Sequence, residues 1–287
     1  MDGFLIPSSP GTDAAASAAA AFAACSSLYA NSSFGPSYSA PASLQNSTYA
    51  SILLTHAQDL YSFAVNATGG KQTYQTAVPQ AGLAYASSSY GDDLTMAALF
   101  LAWATNSSDY YSQAEAYYKQ YSLGGQNNVF NWDSSTPGLA VLFAQMANSG
   151  ASFAGNLSGW QTESERYFDN ILNGGGPSFK TKGTSQVFSL RKMGLTGLIS
   201  IGGLLWYSGD SDEDSLNPSL NAAMLLTRYA QIATTQAKAK NYLVRPPPFY
   251  HVAPFHNTFF QNFAQSQIDY ALGSNPMSGA RPTRALL

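Results

Sequence analysis

SYGDDLTMAALFLAWATN (89–106), followed directly by SSDYYSQAEAYYKQYSL (107–123), decides the fold class. Each segment opens on a helix start signal, Gly-Asp-Asp in the first and Ser-Asp in the second. Together they form a helix pair.

The same scheme recurs on both sides. Upstream, an Ala-rich helix over Thr12 to Tyr29 follows SSPGTD, where Thr12 or Asp13 can cap the first turn. In NSTYASILLTHAQDLYSFAVN (46–66), Ile52, Leu53, Leu60, Phe63 and Ala64 recur at helical spacing, and the Gly69–Gly70 pair closes the segment. An irregular Gln/Tyr/Pro stretch then leads to the pair. Downstream, FNWDSSTPGLAVLFAQMAN (130–148) gives an aromatic loop, Pro137 at a helix start and an apolar helix. Further helices are expected from about Gly159 to Leu172, over 216–234 and over 258–273, the last closed by Gly273 and Pro276. No periodic strand pattern competes. Two segments, 182–200 and the Pro-rich VRPPPFYHVAPFHNTFFQN (244–262), break the rhythm. An all-α chain with long aromatic loops fits an α/α toroid or a helical-repeat solenoid. No self-similarity near the roughly 34-residue tetratricopeptide period is visible, and the loops exceed the roughly 2–8 residues usual between packed helices, so the toroid is favoured.

Composition limits the partners. The 287 residues are 45% hydrophobic, enough for a sizeable core, but only 10% charged, with net charge −3. Such a surface suits uncharged ligands. No Lys or Arg precedes Lys71, which argues against a nucleic-acid partner. No apolar run reaches membrane-spanning length, and AAASAAAAFAAC (14–25) reads as a mature helix rather than a leader. Cys25 is the only cysteine and is expected to be a buried small side chain. Sequons at Asn31, Asn46, Asn66, Asn106 and Asn156 suit a glycosylated protein secreted by a eukaryote.

Sugar sites combine aromatic faces with carboxylates, and two places offer both. Tyr90, Asp92 and Asp93 open one helix; Trp132 and Asp133 sit in a loop ahead of Pro137. The acids can equally serve as helix caps that answer the dipole, and Trp132 can be either a sugar platform or a lid over the core. Glu163 and Glu165 read as surface residues, and Met193 and Met224 as core. GDSDEDS (209–215) lacks the pattern of a calcium loop, and His56, His251 and His256 form no metal or triad spacing. No metal or cofactor is expected.

In order along the chain, PGTDAAASAAAAFAA, SYGDDLTMAALFLAWATNSSDYYSQAEAYY, FNWDSSTPGLAVLFAQM, GDSDEDSLNPSLNAAMLLTRYA and QIDYALGSNPM resemble the middle of glycoside hydrolase family 9, particularly its fungal cellulase-like members. The resemblance implies an (α/α)6 barrel, here about eight of twelve helices, and inverting hydrolysis of β-1,4-glucan by a secreted monomer. It places Tyr90 and Trp132 on the glucan cleft, with Asp92 and Asp133 in the same motifs. Its general base in a DAGD-type motif and its general acid in an NEV-type motif have no counterpart here, so no catalytic residue is assigned and the chain alone is expected to be inactive. Ser17 stands where many relatives have Glu, and Glu213 and Asn217 where many have the Trp and Arg of WGSLRY. Residues 1–287 therefore read as one partial catalytic domain, with anomalous inserts near 183–200 and 244–262 that resemble retained introns.

Overall fold

Alanine sets the spacing of the first helices. Helix α1 (Thr12–Tyr29) buries Ala15, Ala16, Ala19, Ala20 and Ala23, and methyl groups at these positions let α2 (Ser47–Asn66) and α4 (Gly91–Thr105) pack closely on it. Between them lies the short helix α3 (Pro79–Tyr85), a feature hidden in the irregular stretch, with Pro79 in its first turn. Helices α5 (Ser108–Gln120), α6 (Thr136–Asn148) and α7 (Leu157–Leu172) follow. The computed structural model describes residues 5–32, 40–172, 180–182, 204–207 and 216–242, together with 264, 267–268 and 271–272.

The chain divides into two compact units, Met1–Ser164 and Glu165–Leu287, the division falling within α7. In the first unit, end-to-end contacts fix the direction of each helix. The head of α1 meets the chain just beyond α2, where Thr12 N–H donates to Gln72 O at 2.6 Å; at the other end Asn46 N–H donates to Tyr29 O at 2.9 Å. Helices α1 and α2 are thus antiparallel. Ser17 Oγ donates to Asp93 Oδ1, so α4 starts beside the start of α1 and runs parallel to it. Tyr121 at the end of α5 meets Tyr90 at the head of α4, and Asp92 in the first turn of α4 meets Ser135 at the head of α6. Between α5, α6 and α7 an aromatic cluster packs Phe143 flat on Trp160 at 4.0 Å, with Tyr118 edge-on to both.

The second unit is organised around a buried carboxylate. Glu165 Oε1 accepts from Tyr229 Oη at 3.0 Å and Thr234 N at 2.8 Å, while Oε2 accepts from Lys238 Nζ at 2.6 Å. These partners lie on or between α8 (Asn217–Tyr229) and α9 (Gln236–Tyr242). Lys238 also reaches Asp169 at 3.2 Å, and Tyr242 donates to Asp169 at 2.8 Å. Phe168, Tyr229 and Tyr242 pack beneath this network. An antiparallel pair, β1 (Lys180–Lys182) and β2 (Leu204–Trp206), sets Lys182 opposite Leu204.

Several sequence expectations are corrected. No side chain caps α1: Gly11 holds the cap position at φ 55°, while Thr12 Oγ1 accepts from Gln72 N and Asp13 Oδ1 from Tyr74 N. Cys25 is exposed and Met224 is half-exposed, because apolar residues on every side of a helix do not mark which face is covered. Glu165 is 5% exposed rather than a surface residue, and Glu163 accepts from Gly125 N at 2.8 Å. The strand pair is one that no alternation announced. The inserts near 183–200 and 244–262, GDSDEDS, His251, His256, Met193 and most of 258–273 lie outside the described residues.

Candidate functional site

Three helix heads meet at one end of the first unit, those of α1, α4 and α6, and each brings carboxylates. Partial positive charge on their unpaired N–H groups favours acids there. Asp92 is 3% exposed and spans two helices: it belongs to the first turn of α4, yet its Oδ2 accepts from Ser135 N at 2.7 Å and Ser135 Oγ at 3.3 Å. Asp133 turns back to accept Ser88 N at 2.8 Å, and Asn131 Oδ1 accepts from Asp133 N and Ser134 N. The loops 86–90 and 130–135 are thereby tied to each other. Asp13 joins the group from α1, its Oδ2 buried with no hydrogen-bond partner.

Burial first, and then the neighbouring acids, governs the protonation of Asp93 and Asp92. Burial pushes the Asp93 carboxyl up, the neighbouring Asp92 pushes it further, and Asp13 and Asp133 add to this; the Ser17 hydroxyl offsets only part, leaving Asp93 at about 8. Asp92 is also raised, by burial, although the Ser135 bonds oppose the shift. The cluster therefore keeps a proton near neutrality.

The aromatic groups face outward. Trp132 is 52% exposed and stands edge-on to Tyr85, with ring centroids 5.5 Å apart at 87°. Tyr85 is held at the end of α3, its carbonyl accepting from Tyr74 Oη. Tyr90, half-buried, is edge-on to Tyr121 at 5.6 Å, and burial with Tyr90 alongside pushes the Tyr121 phenol up to about 12. The structure thus brings Tyr90, Asp92, Trp132 and Asp133 to one place. Tyr85 and Asp13 were missed by sequence reading; Pro79 at a helix start was the available signal for the first.

A profile of glycosyl hydrolase family 9 matches residues 4–280. The chain belongs to glycosyl hydrolase family 9. Endoglucanase 14 of Arabidopsis thaliana is 31% identical over 273 residues, which are 94% of this chain and 45% of the relative. Endoglucanase 24 of Oryza sativa subsp. japonica is 31% identical over 278 residues, 94% of this chain and 44% of its own length. The chain spans about half the length of the curated relatives it matches. Among solved structures, an endoglucanase from the termite Nasutitermes takasagoensis superposes with TM-score 0.61 at 27% identity, over 93% of this chain and 46% of the termite chain. The cellulase Cel9M of C. cellulolyticum, solved with cellobiose, gives TM-score 0.53 at 21% identity, over 94% of this chain and 46% of that one, a likeness of fold. Among the described residues the family 9 chain is helical apart from one short strand pair, and its fold is of the (α/α)6 class that the resemblance implied.

Proposed function

We propose that this family 9 chain supplies a glucan-binding wall of a secreted cellulase-type glycoside hydrolase that cleaves β-1,4-glucan with inversion. The observation that carries the reading is the exposed Trp132–Tyr85 pair, set over buried carboxylates at the meeting of three helix heads. An exposed indole offers a flat apolar face to the axial C–H groups of a glucose ring, and nearby Asp133 and Tyr90 offer polar atoms to its hydroxyls. The endoglucanase names of the relatives support the same substrate class.

Turnover by inversion needs one carboxylate to activate water and a second to protonate the leaving oxygen. Asp92 and Asp133 each accept a backbone N–H in holding loops together, which suits positioning rather than proton transfer. The DAGD-type and NEV-type motifs of the family are absent from this sequence. The chain alone is therefore proposed to bind glucan, as a monomer, without hydrolysing it. Affinity electrophoresis in soluble β-1,4-glucan tests this: the chain is retarded, Trp132→Ala loses about tenfold in affinity, roughly 1.4 kcal/mol, and no reducing sugar is released from carboxymethyl-cellulose. Clear turnover, or retardation indifferent to Trp132→Ala, defeats the reading. Exposure of all five sequon asparagines supports secretion as a glycoprotein.

A further inference from the structure

The five sequons are not spread evenly over the first unit. Asn31 follows the end of α1, Asn46 heads α2, Asn106 ends α4 and Asn156 precedes α7. Helix directions place all four at one end. The end of α1 touches the head of α2 through Asn46 N–H to Tyr29 O. Helix α4 runs parallel to α1 and so finishes at the same end. Tyr111, in the first turn of α5, donates to Gly155 O at 3.4 Å, which brings Asn156 to that end as well. The acidic and aromatic groups of the candidate site occupy the opposite end, at the heads of α1, α4 and α6. Asn66, at the end of α2, is the one sequon on the site side, close to where Gln72 meets Thr12.

We infer that Asn31, Asn46, Asn106 and Asn156 carry N-linked oligosaccharides that cover the end opposite the site. The inference rests on the reading of the chain as secreted. In the transfer step, the asparagine Nδ2 bonds to C1 of an oligosaccharide delivered on a polyprenyl pyrophosphate. The C1–O bond to the pyrophosphate breaks, the lipid pyrophosphate leaves and the amide gives up one proton. All four asparagines are exposed, so the folded chain accommodates the added bulk. Asn31, Asn106 and Asn156 adopt positive φ, between 53° and 55°, at helix ends, where no helix continues through them. Asn46 caps α2 by accepting Tyr49 N at Oδ1, 2.9 Å, and a glycosidic bond at Nδ2 leaves that acceptor in place. In a chain only 10% charged, glycans at these positions add polar surface to this end.

The test is secretion of the full chain from a yeast host behind a heterologous leader. Peptide mapping follows, after peptide-N-glycosidase release in heavy-oxygen water. Occupancy is expected at the four sites. Acrylamide quenching of Trp132, isolated as the difference from Trp132→Phe, is expected to be the same before and after glycan removal, whereas solubility falls. Four unmodified asparagines, or Trp132 quenching that rises when glycans are removed, would overturn the proposal. Glucan retardation is read on the same samples: a chain with the four glycans and no affinity for glucan defeats the glucanase reading while the glycan face stands.

Discussion

Replacing Asp93 with Asn should change how stability depends on pH. Asp93 is raised from 3.8 to about 8, first by burial and then by Asp92, so between these limits the folded chain holds a proton that the unfolded chain has released. A group raised in this way contributes fully below its unfolded pKa, and its contribution is lost as pH rises through the folded value. Stability should therefore fall by up to about 1.4 kcal/mol per pH unit from about pH 4 to about pH 8. The full span corresponds to on the order of 5 kcal/mol, and relaxation of a partly accessible carboxyl reduces the expected effect to about 2–3 kcal/mol. Asn is a neutral isostere that can still accept from Ser17 Oγ. Urea denaturation followed by circular dichroism should show parent and Asp93→Asn alike at about pH 4 and the variant more stable by about 2–3 kcal/mol at about pH 8.5, with unchanged m-values. Parallel curves at every pH would refute the assignment of the proton to this carboxyl.

Other expectations concern single contacts. Asp92→Ala leaves the Ser135 N–H buried without its acceptor and should cost about 1–3 kcal/mol in urea denaturation, with Asp92→Asn costing less. Glu165 is lowered: burial raises it, but the bonds from Lys238, Thr234 and Tyr229 together outweigh burial. Its contribution is present above the ordinary carboxylate range and is lost on acidification, so Glu165→Gln should be less stable than the parent at neutrality by about 2–3 kcal/mol and converge with it below about pH 4. Glucan affinity carried by Trp132 should be the same at about 0.02 and about 1 M salt, because a neutral sugar on an indole has no ion pair to screen; a tenfold change would point to a charged ligand instead.

Much of the fold was legible because its signals are local. The α1 limits, Pro137 in the first turn of α6 and the end of α2 before Gly69 all follow from residues within a turn of the feature. What escaped depends on distance or on missing contrast. Glu165 sits in a polar helix start, and its partners Tyr229, Thr234 and Lys238 come 64 to 73 residues later. An alanine-rich α1 has no polar face to contrast with a buried one, so the exposure of Cys25 could not be read. Helix α3 spans seven residues, too short to display a period. At the site, Tyr90, Trp132, Asp92 and Asp133 were identifiable by residue type, but the cross-bracing of one helix head by the acid of another was not. Asp92 looks like a cap for α4 and is one for α6.

That cross-bracing explains why acids and aromatics occupy the same end without competing. Three helix heads gather partial positive charge, and carboxylates from each helix answer it. Asp13, Asp92 and Asp133 each accept a backbone N–H across a loop or helix boundary, which fixes the loops that carry Tyr85, Tyr90 and Trp132. Asp93, buried, next to Asp92 and bonded to a hydroxyl rather than to an N–H, keeps its proton near neutrality. The carboxylates thus hold the frame inside, and the rings are left as the groups that meet solvent. A surface built in this way suits the proposed binding of a neutral polysaccharide, through shape and apolar contact.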